Sequence, residues 1–323
     1  MTSEKGGADS SLALPHLRWR LLTSGDEEEL DRLLDQLAQL DTSVLAGLSA
    51  DSETGASLLA DGLAIGGWDA YDTLTAYGAL HLGSTEPLRL YLFGGVLPAH
   101  RHKGIGTALL AWQVAAGTQW RDEHHPGTLL LLSCHAELGR QGLMRAAQAN
   151  GFTVERYYYD LVRGLEKPPP PREVPGVAIV PLDAARSEEV RALHNECFKP
   201  FGGGEVTAEE WAGRMGSPEF REDWSHVALA DGAVVGYAIN VEDIGEHGAP
   251  AGWTERFGVH PAYRGRGIAL ALLSHGLHAM SEAGCEEAGI GVDTPDGLAM
   301  SRLVADLGYV TRDAVGLLTK VVA

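Results

Sequence analysis

The sequence predicts an α/β protein built from two tandem domains, and three observations lead to this prediction. The chain has 323 residues, long enough for two domains of roughly 100–200 residues each. Its hydrophobic fraction of 45% and charged fraction of 21% are typical of a globular protein with an apolar core. Segments with strand alternation and segments with helical spacing follow one another in the same order in both halves.

The first half begins with a predicted strand at residues 17–23, followed by a helix whose leucines recur at helical spacing. Ser24 and Glu27 have the spacing of a capping box at the start of that helix. The stretch 46–72 is rich in Gly, Ser and Asp and indicates no regular element. The other elements predicted for this half are strands at 73–82, 88–96 and 128–133, a helix at 138–149 and a closing strand at 152–162.

A proline-rich stretch at residues 167–175 separates the two halves. Four consecutive prolines continue neither a helix nor a central strand, so we predict a stiff, extended linker. The predicted organisation is therefore a flexible leader at 1–16, an N-terminal domain at 17–166, this linker and a C-terminal domain at 176–323.

The second half repeats the order of the first. A hairpin is predicted around Asp231-Gly232, because this pair tolerates the positive φ angles of a tight turn. The other elements predicted here are strands at 177–182, 253–259 and 287–292, helices at 187–197, 208–215 and 298–307, and closing β structure at 309–322.

Charge and cysteine content limit the functional classes. A net charge of −19 argues against a general binder of nucleic acid or anionic membranes, which needs a basic face. It favours a cationic or amine-bearing substrate, unless the acidic residues only keep the protein soluble. The three cysteines are widely spaced and form no CxxC, so neither a disulfide framework nor a zinc site is predicted. With no apolar run near 18 residues and no signal peptide, we expect a cytoplasmic protein.

A glycine-rich motif occurs twice, as GVLPAHRHKGIG at Gly95 to Gly106 and as GVHPAYRGRGIA at Gly258 to Ala269. Both copies have the form Val-x-Pro-x-x-Arg-x-x-Gly-x-small, and both lead into an apolar helix. In a chain with 41 glycines, a single copy would be an ordinary helix start. Two copies with the same offsets indicate a shared function.

The motif has the composition of an anion site at a strand-to-helix corner. Glycine lets the backbone approach a ligand closely, and the first amides of a helix have no intrahelical acceptor. Together with the helix dipole, these amides bind phosphate groups. Pro261 ends the preceding strand, which leaves its last peptide groups for an extended ligand. The pattern is neither a Walker loop nor a Rossmann fingerprint.

On these residues both halves resemble the GNAT superfamily of acyltransferases, whose signature is Arg/Gln-x-x-Gly-x-Gly/Ala after a Val-x-Pro strand end. The resemblance implies two tandem domains, each a mixed, mostly antiparallel sheet flanked by helices. It also implies acetyl-CoA as co-substrate and no metal. By position, it assigns the binding of acetyl-CoA to Val259, Arg264, Gly265, Arg266, Gly267, Ile268 and Ala269 in the second copy, and to Val96, Arg101, His102, Lys103, Gly104, Ile105 and Gly106 in the first.

Among tandem members of this size, the chain most resembles the mycothiol synthases. The resemblance implies an N-acetyltransferase that acts on the primary amine of a small molecule, such as an aminoacyl sugar. The alternatives are a self-resistance or aminoglycoside-type N-acetyltransferase and a non-catalytic acyl-CoA-binding regulatory module. The expected partner is a small-molecule amine, with no nucleic acid and no membrane, and the expected assembly is a monomer or homodimer.

Glu255 is the candidate general base, because acetyl transfer requires an amine that has lost its proton. On a regular strand, Trp253, Glu255 and Phe257 share one face, and the aromatic neighbours would partly desolvate the carboxylate. The alternative interpretation is an exposed glutamate paired with Arg256 or another basic residue. In mycothiol synthases and many relatives the base lies two residues earlier, where this chain has Trp253.

The group that protonates the leaving thiolate is less evident. The resemblance implies a tyrosine four residues before the terminal Gly-Phe/Tyr pair, but Val304 and Ala147 occupy these positions. Ser301, one turn away, is the candidate substitute, and water or solvent is the alternative, because a thiolate with a thiol pKa near 8.5 leaves readily.

The two halves differ in their predicted chemistry. Leu90 and Leu92 stand on the first motif strand at the positions of Trp253 and Glu255, so the first copy has no carboxylate there. We expect the C-terminal half to be catalytic and the N-terminal half to be a degenerate copy that binds acyl-CoA without turnover, supports the structure or completes the substrate site.

Overall fold

The structure is a computed structural model that describes residues 16–40, 54–60, 62–199, 205–245, 248–295 and 298–323. The predicted leader falls outside this range except for His16. In chain order the strands are β1 (Arg18–Leu21), β2 (Ala64–Trp68), β3 (Leu74–Thr85), β4 (Leu88–Val96), β5 (Leu130–Glu137), β6 (Thr153–Gly164), β7 (Ala178–Pro181), β8 (His226–Ala230), β9 (Ala233–Ile244), β10 (Pro250–Val259), β11 (Glu287–Thr294) and β12 (Val310–Val322). The α-helices of the described residues are α1 (Glu27–Ala38), α2 (Gly55–Leu59), α3 (Ile105–His124), α4 (Gln141–Ala149), α5 (Ser187–Phe198), α6 (Ala208–Met215), α7 (Ile268–Glu282) and α8 (Leu298–Leu307).

Residue contacts divide the chain into two compact units. The first unit comprises the described residues up to Tyr158 together with Asp313–Ala323, and the second unit is Tyr159–Arg312. The prediction placed the division at the linker 167–175 and assigned the whole C-terminus to the second domain. The units divide within β6 instead, and the last residues of the chain belong to the first unit.

The sheet of the first unit explains why the C-terminus belongs to it. Its strand order is β1-β2-β3-β4-β5-β12-β6, and the described strand pairs are antiparallel except for β4 and β5, which are parallel. Strand β12 pairs with β5 from Val322 opposite Leu130 to Val315 opposite Glu137. This run of backbone hydrogen bonds fixes the last strand of the chain beside β5.

The sheet of the second unit has the order β7-β8-β9-β10-β11-β6. Strands β7 to β10 pair antiparallel, whereas β10 and β11 are parallel. In both units the parallel pair is therefore the motif strand and the strand that follows the motif helix. The predicted mixed, mostly antiparallel α/β fold is confirmed.

Helices cover both faces of each sheet. In the first unit α3 packs on one face through Leu109 and Leu110, and α1 packs on the other through Leu30 and Leu33. Each fully buried leucine contributes about 1.5–3 kcal/mol relative to an exposed one. These cores hold the motif helix against the strand that leads into it.

In the second unit the two faces of the sheet have separate cores. Helix α7 packs through Ile268 and Leu272 on the face that we call the α7 face. Helices α5 and α6 pack through Leu193 and Trp211 on the opposite face, which we call the α5/α6 face.

Strand β2 was missed because its sequence, Ala-Ile-Gly-Gly-Trp, looks like a loop. The glycines have a packing role: a Cβ on Gly66 would lie 2.6 Å from the ring of Trp68, and one on Gly67 would lie 2.8 Å from the ring of Trp19. The strand therefore uses glycine to make room for two indoles. None of the described helices combines the length and apolar character needed to span a membrane.

Candidate active site

Both copies of the glycine-rich motif follow the same backbone path. A single turn of 3-10 helix, Pro98–His100 or Pro261–Tyr263, follows the motif strand. Helices α3 and α7 then begin directly after Gly104 and Gly267, whose φ angles are 81° and 85°. Glycine is favoured at both positions because this left-handed conformation strains a residue with a Cβ.

The motif arginine closes each loop onto the end of its own strand. Arg101 Nε donates a hydrogen bond to the Val96 carbonyl at 2.8 Å, and Arg264 Nε donates to the Val259 carbonyl at 3.1 Å. The two matching bonds show that each arginine fixes the corner between the strand end and the helix start. The rest of each guanidinium adds positive charge to that corner.

The helix starts open onto free space. Apart from the adjacent residues and the backbone of the helix itself, no heavy atom of the described residues lies within 4 Å of a Cβ added at Gly104, Gly106, Gly265 or Gly267. The first amides of each helix lack an intrahelical acceptor and carry the positive end of the helix dipole. Both corners therefore have the space and the polarity to hold a pyrophosphate.

The neighbouring motif side chains differ between the copies. Arg266 lies 5.4 Å from the Tyr263 ring centroid and donates to the Pro175 carbonyl at 3.3 Å. Lys103 Nζ donates to the Ala99 carbonyl at 2.9 Å. His102 has a φ of 62° at the position where the second copy has Gly265, with a φ of 77°.

Each motif strand separates from its parallel neighbour before it ends. The pairing of β10 with β11 stops at Thr254 opposite Ile290, although β10 continues to Val259. In the first unit the pairing of β4 with β5 stops at Tyr91 opposite Ser133. A strand without a neighbour presents unpaired peptide groups, which an extended ligand can bind by adding to the sheet edge.

A β-bulge lies at the point where β10 leaves β11. On the facing strand β9, Asn240 pairs with Thr254 and Ile239 pairs with Arg256, so Glu255 has no partner in the register of the described strands. Two residues, Thr254 and Glu255, therefore stand opposite one. Such a bulge re-aims the side chains at the strand position where it occurs.

The bulge overturns the predicted side-chain alternation. Trp253 and Arg256 pair with alternate residues of β9 and point to the α5/α6 face, whereas Phe257 belongs to the core of the α7 face. The expectation that Trp253, Glu255 and Phe257 share one face was wrong, because it assumed a regular strand. Phe257 is therefore not a neighbour of Glu255 on one surface of the sheet.

The Glu255 carboxylate lies between two guanidinium groups. Its Oε1 is 2.8 Å from Arg214 Nη1, on helix α6, and 3.8 Å from Arg256 Nε. The Glu255 side chain is 32% exposed. This arrangement matches the alternative interpretation of an exposed glutamate paired with basic residues. To accept a proton from a substrate, Glu255 would have to release Arg214.

A buried histidine lies under this cluster on the α5/α6 face. His194 is 3% exposed, and its Nδ1 is 2.6 Å from the Tyr237 hydroxyl oxygen. Burial, reinforced by Arg256 and Arg214, lowers the pKa of His194 to about 4. At neutral pH His194 is uncharged, so it adds no positive charge to the two arginines. Burial also raises the pKa of the Tyr237 phenol.

Ser301 lies exposed on α8, which packs against β11 and α7. Tyr309 follows α8 and is buried. Burial raises the pKa of its phenol, while Arg163 and Thr254 act in the opposite direction. Sequence reasoning missed Arg214, because only the packing of α6 brings it to Glu255.

The corresponding position of the first unit is apolar. Leu92, at the place of Glu255, is 5% exposed and pairs regularly with Leu80. The register of β3 and β4 shifts only between Leu82 and Ser84, on β3. The first motif strand therefore has neither the bulge nor the carboxylate of the second.

The cysteines Cys134, Cys197 and Cys285 are free and buried. Across the described ranges, no group of three or more His, Cys, Asp or Glu side chains is arranged to hold a metal ion.

Comparison with known proteins identifies the fold of the chain and a family that part of its second half matches. Residues 187–309 match the Acetyltransferase (GNAT) family, and no curated protein matches the chain. A GCN5-related N-acetyltransferase from Sphaerobacter thermophilus is 20% identical, with a TM-score of 0.62 over 94% of this chain and 95% of that chain. A tandem GNAT protein from the clavulanic acid biosynthesis pathway is 17% identical over 94% of this chain and 98% of that chain, with a TM-score of 0.49.

A third similar structure belongs to a larger protein. It is the GCN5-related glucosamine N-acetyltransferase region of a fungal multi-domain GH3 β-N-acetylglucosaminidase, 15% identical with a TM-score of 0.54. The match covers 95% of this chain and 38% of that one. At these identities, the structures with TM-scores of 0.62 and 0.54 show a common fold. Residues 187–309 therefore match the GNAT family of acetyltransferases, and the chain has the fold of GCN5-related N-acetyltransferases.

Proposed function

We propose that the chain transfers the acetyl group of acetyl-CoA to the primary amine of a small molecule, and that the second unit carries out the transfer. The observation that carries the proposal is the bulge at Glu255. It places a carboxylate at the point where β10 and β11 separate, on the same strand that leads into the open glycine corner.

The glycine corner of the second unit fits the pyrophosphate of acetyl-CoA. A left-handed Gly267, the open space at Gly265 and the first amides of α7 provide an anion site. Arg264 holds the corner against Val259. The separated end of β10 then offers peptide groups to the pantetheine arm. When bound, acetyl-CoA supplies an activated thioester.

The transfer requires an uncharged amine and an acceptor for its proton. The amine nitrogen forms a bond to the acetyl carbon, the carbon–sulfur bond breaks, and the CoA thiolate leaves. We propose that Glu255 takes the amine proton, directly or through a water, once Arg214 has released it. Solvent protonates the thiolate, or Ser301 does so from α8.

We further propose that the first unit binds acyl-CoA without turnover. Its corner has the same left-handed glycine and the same arginine-to-carbonyl bond. Leu92 is buried where Glu255 stands in the second unit, so no base is available there. An aminoacyl sugar of the mycothiol-precursor type is the first acceptor to test, followed by aminoglycosides.

The proposal is tested by incubating the protein with acetyl-CoA and a panel of amines while following release of the CoA thiol. The panel includes glucosamine, aminoacyl sugars, aminoglycosides and free amino acids. Gly267→Val should lower kcat/KM by about 100-fold, because small displacements of a bound substrate have effects of that size.

A matched control shows whether strain alone explains the loss. Gly284 follows the other end of α7, also has a left-handed φ of 90°, and also has free space around an added Cβ. Gly284→Val should destabilise the fold as much as Gly267→Val, by about 1–2 kcal/mol, and retain acetyl-CoA binding. Acetyl-CoA binding without turnover of any amine would refute the enzymatic proposal and support a binding module.

A further inference from the structure

The charge of the candidate active site is opposite to that of the whole chain. The net charge is −19, which by itself favours a cationic substrate. On the α5/α6 face beside the bulge, however, two arginines share a single carboxylate. Local charge decides which ligand a site accepts, because solvent and salt screen more distant charges.

The arginine pair is only partly satisfied within the described residues. Arg214 makes a hydrogen bond of 2.8 Å to Glu255. Arg256 Nε is buried and has no hydrogen-bond partner, and its distance of 3.8 Å to Glu255 is too long for a hydrogen bond. A buried donor without an acceptor is unfavourable, and one carboxylate balances only one of the two charges. The pair therefore has capacity for another anionic oxygen.

The position of the pair relates it to the acceptor. The pyrophosphate corner belongs to α7, which covers the α7 face of the sheet. Arg256 points to the opposite face, and Arg214 extends from α6 on that same face. An acceptor that meets the acetyl group from the side opposite α7 would pass these two guanidinium groups.

Glu255 shows which group the arginines can hold. A carboxylate already lies between them, 2.8 Å from one and 3.8 Å from the other. Guanidinium groups bind carboxylates through paired, charge-assisted hydrogen bonds. The ion pair is about one-third exposed on both sides, and such a pair stabilises a fold little, so an incoming carboxylate can replace Glu255.

We infer that the acceptor is an amine that also carries a carboxylate, and that Arg214 and Arg256 bind this carboxylate in place of Glu255. The inference rests on the proposed function and names its substrate class. Binding of the acceptor then frees Glu255 to take the amine proton, so the base becomes available only when a substrate of the right charge is present. Polycationic aminoglycosides, and aminoacyl sugars whose carboxyl group is bonded to the sugar, are poor acceptors on this account.

The test compares amines that differ only in the acidic group. Free amino acids, their carboxamides and amines with a phosphate monoester are supplied with acetyl-CoA, and CoA thiol release is measured. We expect kcat/KM to be roughly 10- to 100-fold higher for the carboxylates than for the carboxamides, the range of a charge-assisted hydrogen bond. Arg214→Gln and Arg256→Gln should reduce this ratio to near one.

The control is Arg186→Gln, which should leave the ratio intact. Arg186 has a similar exposed fraction of 32% and pairs with Glu189 at 3.5 Å. It also donates to the carbonyl of Gly232, at the hairpin end of β9, far along the strand from Ile239. If Arg186→Gln also reduced the ratio of kcat/KM for carboxylates to kcat/KM for carboxamides, the effect would come from surface charge in general and the inference would be overturned.

The outcomes separate the inference from the proposed function. If the carboxamides are turned over as well as or better than the carboxylates, the inference is overturned and the proposed function is left intact. If amines with a phosphate monoester are preferred, the choice of a carboxylate is overturned. If no amine is acetylated, the proposed function fails, and calorimetry in the presence of CoA decides the inference. N-acetylated amino acids should then bind more tightly than their carboxamides, and Arg214→Gln should abolish the difference. Equal binding would refute the carboxylate site.

Discussion

The two motif strands, β4 and β10, have the same ends and different middles. At their ends, Arg101 and Arg264 make the same bond to the last strand carbonyl, and Gly104 and Gly267 have the same left-handed conformation. In their middles, β4 is regular, whereas β10 bulges at Glu255. The shared part is where we propose that pyrophosphate binds. The part that differs holds Glu255, the carboxylate that we propose as the base.

The residues packed around the two motif strands also differ. In the first unit Tyr77 packs in an apolar cluster with Leu30 and Leu33 from α1. In the second unit, the tyrosine facing the motif strand, Tyr237, bonds to His194 from α5. At the motif strand itself, the second unit has the charged Glu255 where the first has the buried hydrocarbon of Leu92, which is a cost in stability that a site for chemistry can justify.

Glu255→Gln is the most direct test of the difference between β10 and β4. We expect kcat to fall by about 100- to 1,000-fold, because general base catalysis typically contributes 10²–10⁴. The matched control is Glu242→Gln, on β9, since Glu242 is also an exposed carboxylate paired with an arginine, Arg221. The control should retain activity within about twofold. Full activity of Glu255→Gln would show that Glu255 serves only as a partner of Arg214.

His194 should make the second unit sensitive to acid. Its pKa is lowered from 6.5 to about 4 in the folded protein, so the unfolded chain takes up a proton first as the pH falls. The stability that neutral His194 provides is complete above pH 6.5 and is lost between pH 6.5 and 4. At about 1.4 kcal/mol per pH unit, the loss approaches about 3 kcal/mol.

The measurement is the free energy of unfolding in urea between pH 7 and 4.5, for the wild type and for His194→Phe. The variant loses the bond to Tyr237 and should be less stable at pH 7, but its stability should decline less steeply with acid. His226 and His275 also have lowered pKa values, so the test is the difference between the two slopes. Equal slopes would show that His194 is not the acid-sensitive group.

The two motif arginines should have equal effects on binding and unequal effects on catalysis. Arg101→Ala and Arg264→Ala each remove the bond that closes a corner, at 2.8 Å and 3.1 Å. Each should weaken acetyl-CoA binding at its own site by about tenfold, the effect of losing about 1.4 kcal/mol.

Calorimetry of the wild type should show two acetyl-CoA molecules per chain. Turnover should fall about tenfold for Arg264→Ala and less than twofold for Arg101→Ala. A single site in the wild type, lost only in Arg264→Ala, would show that the first unit no longer binds acyl-CoA.

The sequence was sufficient for the repeated parts of the protein and insufficient for the parts that differ. Most of the strands and helices, the two glycine corners and the apolar Leu92 follow from local patterns along the chain. The bulge does not, because an extra residue in a strand is visible only against its partner, here Asn240 of β9. The pairing of Glu255 with Arg214 depends on how α6 packs, and the position of β12 beside β5 depends on the whole first sheet.

The smallest effect concerns His102, which occupies a left-handed conformation where the second copy has Gly265. An L-residue there is strained by about 1–2 kcal/mol, while glycine loses about 0.5–1 kcal/mol more backbone entropy on folding. His102→Gly should therefore stabilise the first unit by about 0.5–1 kcal/mol, and Gly265→His should destabilise the second by a similar amount, both measured by urea unfolding.

His102→Ala is the control, because it removes the imidazole and keeps the strained backbone. An equal gain from His102→Ala would assign the effect to the side chain. A gain from glycine alone would show that the first unit retains a backbone conformation which its own sequence no longer favours, the expected property of a binding corner inherited from a common repeat.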